Sequence, residues 1–293
     1  MITLSSEYPV EKMCKSYGVS SSGFYKYKKR KAAYAAKPES VPCAELDERL
    51  RQAFKKSRGT YGSPRLAIEL NTDPSVKKVS TSMVARRMRY LGLVARQPKK
   101  FKPSTESKHN QSISDNVLNR EFEAPYPGQK WVSDITYVLV KGHWVYLTVI
   151  LDLADRRVVG WQLSESMRSD ETILPAWRKA LENCPVQKGL IFHSDRGVQY
   201  TSLKLRHQLR KLGCIQSMSR KGDCWDNAVA ESFFRTLKTE ELDRHHFTSM
   251  NQLQSVLFRY IEGFYNTTRI HTSIGNMSPM KKHMQLISQS LAA

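Results

Sequence analysis

The chain has 293 residues, room for one core of ordinary size with smaller modules beside it, so burial does not limit the fold and two or three domains are expected. Its 47 basic and 27 acidic residues leave a net charge of +20, and the excess is uneven: residues 1–120 hold 25 basic and 10 acidic side chains, the remainder 22 and 17. A front end this basic most simply meets a polyphosphate. A solvated face kept for solubility is the alternative. The five cysteines (Cys14, Cys43, Cys184, Cys214, Cys224) form an odd set without a CxxC pair, which argues against a disulfide framework or cysteine-rich zinc site and fits a reducing cytoplasm. The longest apolar run, around Trp144 to Leu151, stops at Asp152, so neither a membrane span nor a secretory leader is expected.

In chain order, Val10 to Tyr17 and Ser21 to Lys29 read as two short helices about Gly18, with a serine at the second N-cap. This is a helix-turn-helix pattern whose second helix offers Ser21 and Lys26, followed by the basic run Lys28 to Lys31, for groove and phosphate contact; a small structural hairpin is the alternative. Residues 32–42, alanine-rich with Pro38 and Pro42, read as a linker. In the second helical module Ser80 is an N-cap, Val84, Met88 and Leu91 share one face, and Gly92 lies near the C-terminal end, leaving Arg86, Arg87 and Arg89 available to DNA or simply to solvent. Lys99 to Lys108, interrupted by Pro103, reads as a basic tether.

From Gln129 the pattern changes. Trp131 to Leu139 and His143 to Asp152 are apolar runs joined at Lys141-Gly142, a hairpin turn, and Arg157 to Leu163 supplies a third strand. A helix over Asp170 to Asn183 tolerates Pro175 in its first turn or at a kink. A strand ending near Asp195, a helix from Ser202 to Leu212, a short strand at Cys214 to Met218 and a polar loop from Ser219 to Trp225 follow. On the next helix Val229, Phe233 and Leu237 repeat at helical spacing. Three antiparallel strands followed by alternating helices and strands describe an α/β fold, a mixed sheet with helices on its faces. The expected layout is a helix-turn-helix-like module over 1–35, a second helical module over 44–102, a basic linker over 103–128, an α/β core over 129–245 and a C-terminal helical segment over 246–293.

Three acids stand out within this layout. Asp134 sits inside the strand-like Trp131-Val132-Ser133-Asp134-Ile135-Thr136-Tyr137-Val138, where an acid is costly unless matched. Asp195 follows a strand in His193-Ser194-Asp195-Arg196-Gly197, at the kind of loop that displays catalytic side chains. Glu231 lies on a helix within one or two turns of Asn227, Arg235 and Lys238. Spacing does not license the set, because 27 acids in this length give about two chance pairs at the gap between the last two. For any one residue the alternative is ordinary: an exposed Glu231–Arg235 pair, or an aspartate that caps a loop. Together the three can hold divalent metal for phosphodiester chemistry, and hard oxygen ligands suit Mg²⁺, with two ions sharing three carboxylates and substrate oxygens. Mn²⁺ is the expected substitute.

The segments WVSDITYV (Trp131 to Val138), LDLADRRVVGW (Leu151 to Trp161), HSDRGVQYTS (His193 to Ser202), DNAVAESFFRTLKTE (Asp226 to Glu240) and YNTTRIHTSIGNMSP (Tyr265 to Pro279) resemble, in order, the DDE transposase of the third large bacterial insertion-sequence family. That protein is the catalytic, second-reading-frame product of its element and carries an integrase core related to retroviral integrases. RGTYGSPRLAIEL (Arg58 to Leu70) with STSMVARRMRYLGL (Ser80 to Leu93) resembles the family's helical DNA-binding segment, and Asp155 departs from a commoner serine. The resemblance implies a ribonuclease H-like fold and a DNA transposase that cleaves and joins terminal inverted repeats. It implies Asp134, Asp195 and Glu231 as catalytic and metal-holding residues, with Asp134 bridging two ions, and Lys238 at a phosphate or base near the scissile bond. Asn227 and Arg235 are weaker candidates for DNA-end contacts, and His193 either orients the nucleophile or packs. The implied partners are terminal-repeat and target DNA, further copies of the chain (at least a dimer on DNA) and the first-frame protein of the same element, in the bacterial cytoplasm at the nucleoid. Two other functions remain open at this stage: a non-catalytic DNA-end-binding regulator, and a ribonuclease H-type nuclease sharing the metal chemistry.

Overall fold

The two apolar runs flanking Lys141-Gly142 pair as an antiparallel hairpin, β1 (Lys130–Val140) with β2 (His143–Asp152), in a register that sets Asp134 opposite Val149 and Val140 opposite His143. Lys141 and Gly142 adopt φ of 46° and 84°, the left-handed pair that a two-residue turn needs to follow the strand twist. The structure, a computed structural model, describes residues 5, 8–36, 44–74, 77–96 and 113–292. The linker prolines Pro38 and Pro42 and the basic tether Lys99 to Lys108 lie outside the described residues.

The third strand, β3 (Val158–Ser164), pairs antiparallel with β2, while β4 (Ile191–Ser194) runs parallel to β1 and β5 (Ile215–Met218) parallel to β4. The sheet order is β3-β2-β1-β4-β5. Between β3 and β4 runs α6 (Ile173–Asn183), with Pro175 in its first turn, and between β4 and β5 runs α7 (Leu203–Lys211), whose N-cap Ser202 accepts from Leu205 N. This mixed sheet with crossover helices is the expected ribonuclease H-like α/β fold.

One face of the sheet is closed by a cluster containing Trp131, Ile150, Val159, Trp177, Phe192 and Tyr200, each at most 1 % exposed, with Ile135 packed against it. Burying side chains of this size is worth about 1.5–3 kcal/mol each. The helix lies so close that a Cβ at Gly160 would fall 2.3 Å from Ala176 O, so β3 meets α6 only with glycine there. Trp131, the first large side chain of β1, also donates its indole N–H to Asp152 at 2.8 Å.

The chain divides into two compact units, residues 1–51 and 52–293, and the division falls within α3 (Ala44–Lys56). The first unit holds α1 (Val10–Ser16) and α2 (Ser21–Ala36), packed through Met13, Cys14 and Phe24, with Ser20 Oγ accepting from Gly23 N at 3.1 Å as the expected cap. In the second unit α4 (Ser63–Asn71) and α5 (Thr81–Tyr90) form the helical pair ahead of the sheet. Ser80 caps α5 by accepting from Met83 N, Val84 and Met88 are buried, and Gly92 ends the helix at φ 67°.

Beyond the sheet, α8 (Ala228–Glu240) packs on β1, followed by α9 (Met250–Tyr260) with a π-helical turn over Ile261–Tyr265, and by α10 (Pro279–Ala292). The buried stripe of α8 is Ala230, Phe233, Phe234 and Leu237; Val229, expected on that face, is only half-buried, because Ala230 fits the same helical spacing with Phe233 and Leu237. The C-terminal segment is tied back to the sheet. Asn266 accepts from Val158 N at 3.0 Å and donates to Val158 O at 3.1 Å, and Arg269 pairs with Glu240 at 2.7 Å. Among the described residues no helix is long and apolar enough to cross a membrane.

Candidate active site

Strand periodicity decides where Asp134 points. Trp131 and Ile135 join the core cluster on the α6 face, and Ser133 bonds Tyr200 of that cluster at 2.9 Å, so Asp134 is turned to the opposite face. In the neighbouring strand Phe192, level with Trp131, lies in the same cluster, and Val132 is level with His193. Continuing that parallel register by two residues brings Asp195 level with Asp134 and on the same face. Asp195 stands just past β4, where Gly197 N donates to its Oδ1 at 2.9 Å. A Cβ at Gly197 would lie 3.0 Å from Asp195 Oδ1 and 2.8 Å from Gln199 Oε1, the end of a flexible side chain.

Glu231 enters from α8, in its first turn. The start of that helix is strapped to β1 by Asn227 Nδ2, which donates to Ser133 O at 3.2 Å, the residue beside Asp134. All three acids are half-buried. Their fields meet at Asp134, whose carboxyl is pushed well above the usual range, first by burial and then by the negative charges of Asp195 and Glu231. Ile135 N–H and Lys238 oppose that rise. Glu231 is itself raised by burial, with Arg235 pulling the other way.

Lys238 lies beside this group. Its ammonium sits 5.3 Å from the centre of the Tyr137 ring, and burial lowers its pKa while Asp243 and Asp134 raise it. Arg235, one turn earlier, is exposed. Asn227, expected to reach DNA, is only 4 % exposed and serves the Ser133 strap, so as placed it does not face a strand of DNA. Its Oδ1 is buried and has no hydrogen-bond partner among the described residues. His193 is fully buried between Ser217 and Ser219, at 2.9 and 3.2 Å, and burial pushes it down to about 4, so it packs as a neutral ring. Arg86 and Arg89 are exposed on α5 and Arg87 lies 4.7 Å over the Tyr90 ring; Ser21 and Lys26 are exposed on α2 in the other unit.

Several residues that shape the site gave no signal of their own in the sequence. Asp226, immediately before Asn227, is fully buried and accepts from Asn116 Nδ2, Arg120 Nε and the Arg220 guanidinium, each at 2.8–2.9 Å, which holds its carboxyl far below the usual range. That knot fixes the loop from which α8 starts. Tyr61, inside the block resembling a DNA-binding segment, is buried and accepts from Ile270 N at 2.6 Å, and Arg58 pairs with buried Glu241 at 2.6 Å. Asp155 is buried as well, accepting from Arg157 N and bonding His283 at 2.8 Å.

Among the described residues no group of three or more His, Cys, Asp or Glu side chains is arranged to hold a metal ion unaided. The donor set nonetheless fits a hard cation completed by other oxygens: two level carboxylates, a third within their field, and the orphaned Asn227 oxygen next to β1.

Comparison with known proteins adds to this geometry. Residues 124–224 and 212–279 match families described as Integrase core domain, and residues 43–101 match an HTH-like domain. The chain is 36 % identical over 274 residues to Transposase InsF for insertion sequence IS3A of Escherichia coli (strain K12), covering 94 % of this chain and 93 % of that protein. It is 38 % identical over 271 residues to the insertion element IS600 uncharacterized 31 kDa protein of Shigella sonnei, covering 91 % and 96 %. Among solved structures, the simian T-cell lymphotropic virus intasome in complex with PP2A regulatory subunit B56 gamma is similar at a TM-score of 0.46 and 16 % identity, over 76 % of this chain and 70 % of that one.

Proposed function

From the premise that this chain belongs to the IS3-family transposases, and is a DNA transposase with an integrase core, we propose that Asp134, Asp195 and Glu231 are its catalytic residues for cutting and joining DNA ends. One observation carries the reading: Asp195 and Glu231 both act on half-buried Asp134, a grouping of like charges that is costly unless a cation or proton joins it. These carboxylates would hold divalent metal, Mg²⁺ first and Mn²⁺ as substitute, two ions per site with substrate oxygens completing the shells. Metal bound there supplies positive charge that stabilises the attacking and leaving oxygens of an in-line displacement at phosphorus.

The chain's own side chains supply placement. Asn227 and the Asp226 knot hold the start of α8 against β1, which keeps the charge of Glu231 close enough to act on Asp134. Lys238, its ammonium within the field of Asp134, binds a phosphate oxygen next to the scissile bond. Arg235 contacts the DNA end, while Arg86, Arg87 and Arg89 on α5, and Ser21 and Lys26 on α2, each serve as DNA contacts. In the first step water attacks phosphorus, the P–O3′ bond breaks and the 3′-hydroxyl leaves; in the second, that hydroxyl attacks a target phosphorus and displaces its 3′-oxygen. One P–O bond is made and one broken each time.

The DNA bound is the element's terminal inverted repeats and its target. Pairing two ends calls for at least a dimer on DNA, the first-frame protein of the element is a further partner, and the chain works in the cytoplasm at the chromosome. The test is strand transfer from pre-nicked end DNA in Mg²⁺ with Asp134→Asn, Asp195→Asn and Glu231→Gln. Each is expected to lower joined product by more than about a hundredfold while end binding stays within a few-fold. Substantial joining by any one variant removes that residue from the site. Tight end binding by the unaltered chain without joined product favours a regulator, and preferential cutting of an RNA:DNA hybrid favours a ribonuclease.

A further inference from the structure

A cleft in the second unit lies away from the carboxylates. It measures about 880 Å³ and is lined by Lys56 at the end of α3, Arg58, Arg96 after α5, Arg244 after α8 and Arg259 on α9. Among the described residues the lining holds two carboxylates, Glu241 and Asp243, and Lys56 is already paired with Glu69 at 2.6 Å, which leaves four arginines to those two acids. Glu241 is already committed: buried at 2 % exposure, it pairs with Arg58 at 2.6 Å and His245 at 3.0 Å. Arg58 is also fixed beneath, its guanidinium 5.8 Å from the Tyr260 ring and 5.7 Å from that of Phe264. Arg96 is held at the rim by its N–H to Gly59 O at 3.4 Å, and Arg259 is exposed. The guanidinium of Arg244 is destabilised by burial and by the like charges of Arg96 and Arg58. Cations gathered against their own repulsion, with too few acids to balance them, make an anion site.

A second cleft of about 590 Å³ adjoins this one and includes Lys238. It is lined by Tyr137, Lys141 and Lys238 on one side and shares Asp243 and His245 with the larger cleft. Lys238 in turn lies within the field of Asp134. Lys141 and Lys238 thus lie between the carboxylates and the arginine-lined cleft.

We propose that this cleft grips phosphodiester oxygens of the same DNA whose end lies at the carboxylates, away from the scissile phosphate. The proposal rests on the reading of Asp134, Asp195 and Glu231 as the cutting site. Arg96 and Arg259 are the residues to change, because neither makes the buried pairs that hold Arg58.

Binding of end duplexes of stepwise increasing length is measured across a salt series for Arg96→Ala/Arg259→Ala, in the unaltered chain and in Asp134→Asn. The double change is expected to flatten the slope of log affinity against log salt by about 2, near 0.9 for each phosphate that is no longer neutralised. Long duplexes should bind at least about tenfold more weakly, while the shortest duplex across the scissile phosphate, and the cutting rate at saturating DNA, stay unchanged. Arg96→Lys/Arg259→Lys should keep most of the slope. Unaltered slope and affinity at every length overturn the proposal, as does an equal loss in the lysine pair, which would assign the effect to packing. Saturable binding of a free nucleoside triphosphate, abolished in the alanine pair, also overturns it and makes the cleft a small-phosphate site. Because the readout is binding, it stands apart from the cutting-site reading, which fails separately if Asp134→Asn still cuts.

Discussion

A side chain at Gly197 would crowd the carboxylate of Asp195. The Gly197 N–H donates to Asp195 Oδ1, and a methyl group there would press on that oxygen and on Gln199. Gly197→Ala is therefore expected to displace Asp195 and slow end cleavage by about 10–100-fold, the scale for misplacing a reacting group by an ångström or less, with end binding unchanged. Cleavage at the normal rate would show that the loop yields without moving the acid. His193 belongs to stability. Unfolded, an imidazole titrates near 6.5, whereas burial pushes His193 down to about 4. Above 6.5 both states are neutral and the full stability is present. As pH falls from 6.5 through 4, the unfolded chain takes up a proton that the folded chain refuses, so about 3 kcal/mol is lost across that window. Asp152, raised to about 6 by burial and by Asp155, works in the opposite sense there, so the comparison must be between variants. Denaturant unfolding of His193→Gln between pH 6.5 and 4 should show a shallower acid loss than the unaltered chain. An identical slope would remove His193 as its source.

At the scale of elements, the helix that carries Glu231 is held at both ends by charge. At its start, Asp226 gathers Asn116, Arg120 and Arg220; at its finish, Glu240 accepts from Arg269 and from Tyr260 OH at 2.8 Å. Arg269→Met leaves Glu240 buried without its cation and should cost about 3–5 kcal/mol in denaturant unfolding. Adding Glu240→Gln should recover much of that loss, and a double change no better than the single would deny the coupling. The elements themselves were legible because their signals are local. The turn at Lys141-Gly142, the caps Ser20, Ser80 and Ser202, and Pro175 in the first turn of α6 all follow from residues within a few positions of one another. The face of α8 was less so, since Val229 and Ala230 both fit its apolar spacing. The knots were not legible at all: Arg120 and Asp226 are 106 residues apart, and Asn227 reads as an exposed helix-start residue until Ser133 O is found above it.

For the whole molecule, the three acids could be named as a set from residues and resemblance, but their approach to one another comes from the parallel β1–β4 register and from α8 crossing β1. Neither is a property of any short segment. The basic front end was legible as charge, while the placing of Arg58, Arg96 and Arg259 around one cleft was not. If that charge serves DNA, affinity for end DNA should fall by about a thousandfold or more between 50 and 200 mM salt. A flat response in a filter-binding series would contradict the polyphosphate reading. The central claim, that Asp134, Asp195 and Glu231 act together on one DNA strand through shared cations, is tested most directly by anomalous scattering from Mn²⁺ in crystals of the chain bound to end DNA. The account predicts manganese peaks ligated by Asp134 and Asp195, with Glu231 completing the set against the scissile phosphate. Peaks away from these carboxylates, or Glu231 remote from every ion, would contradict it.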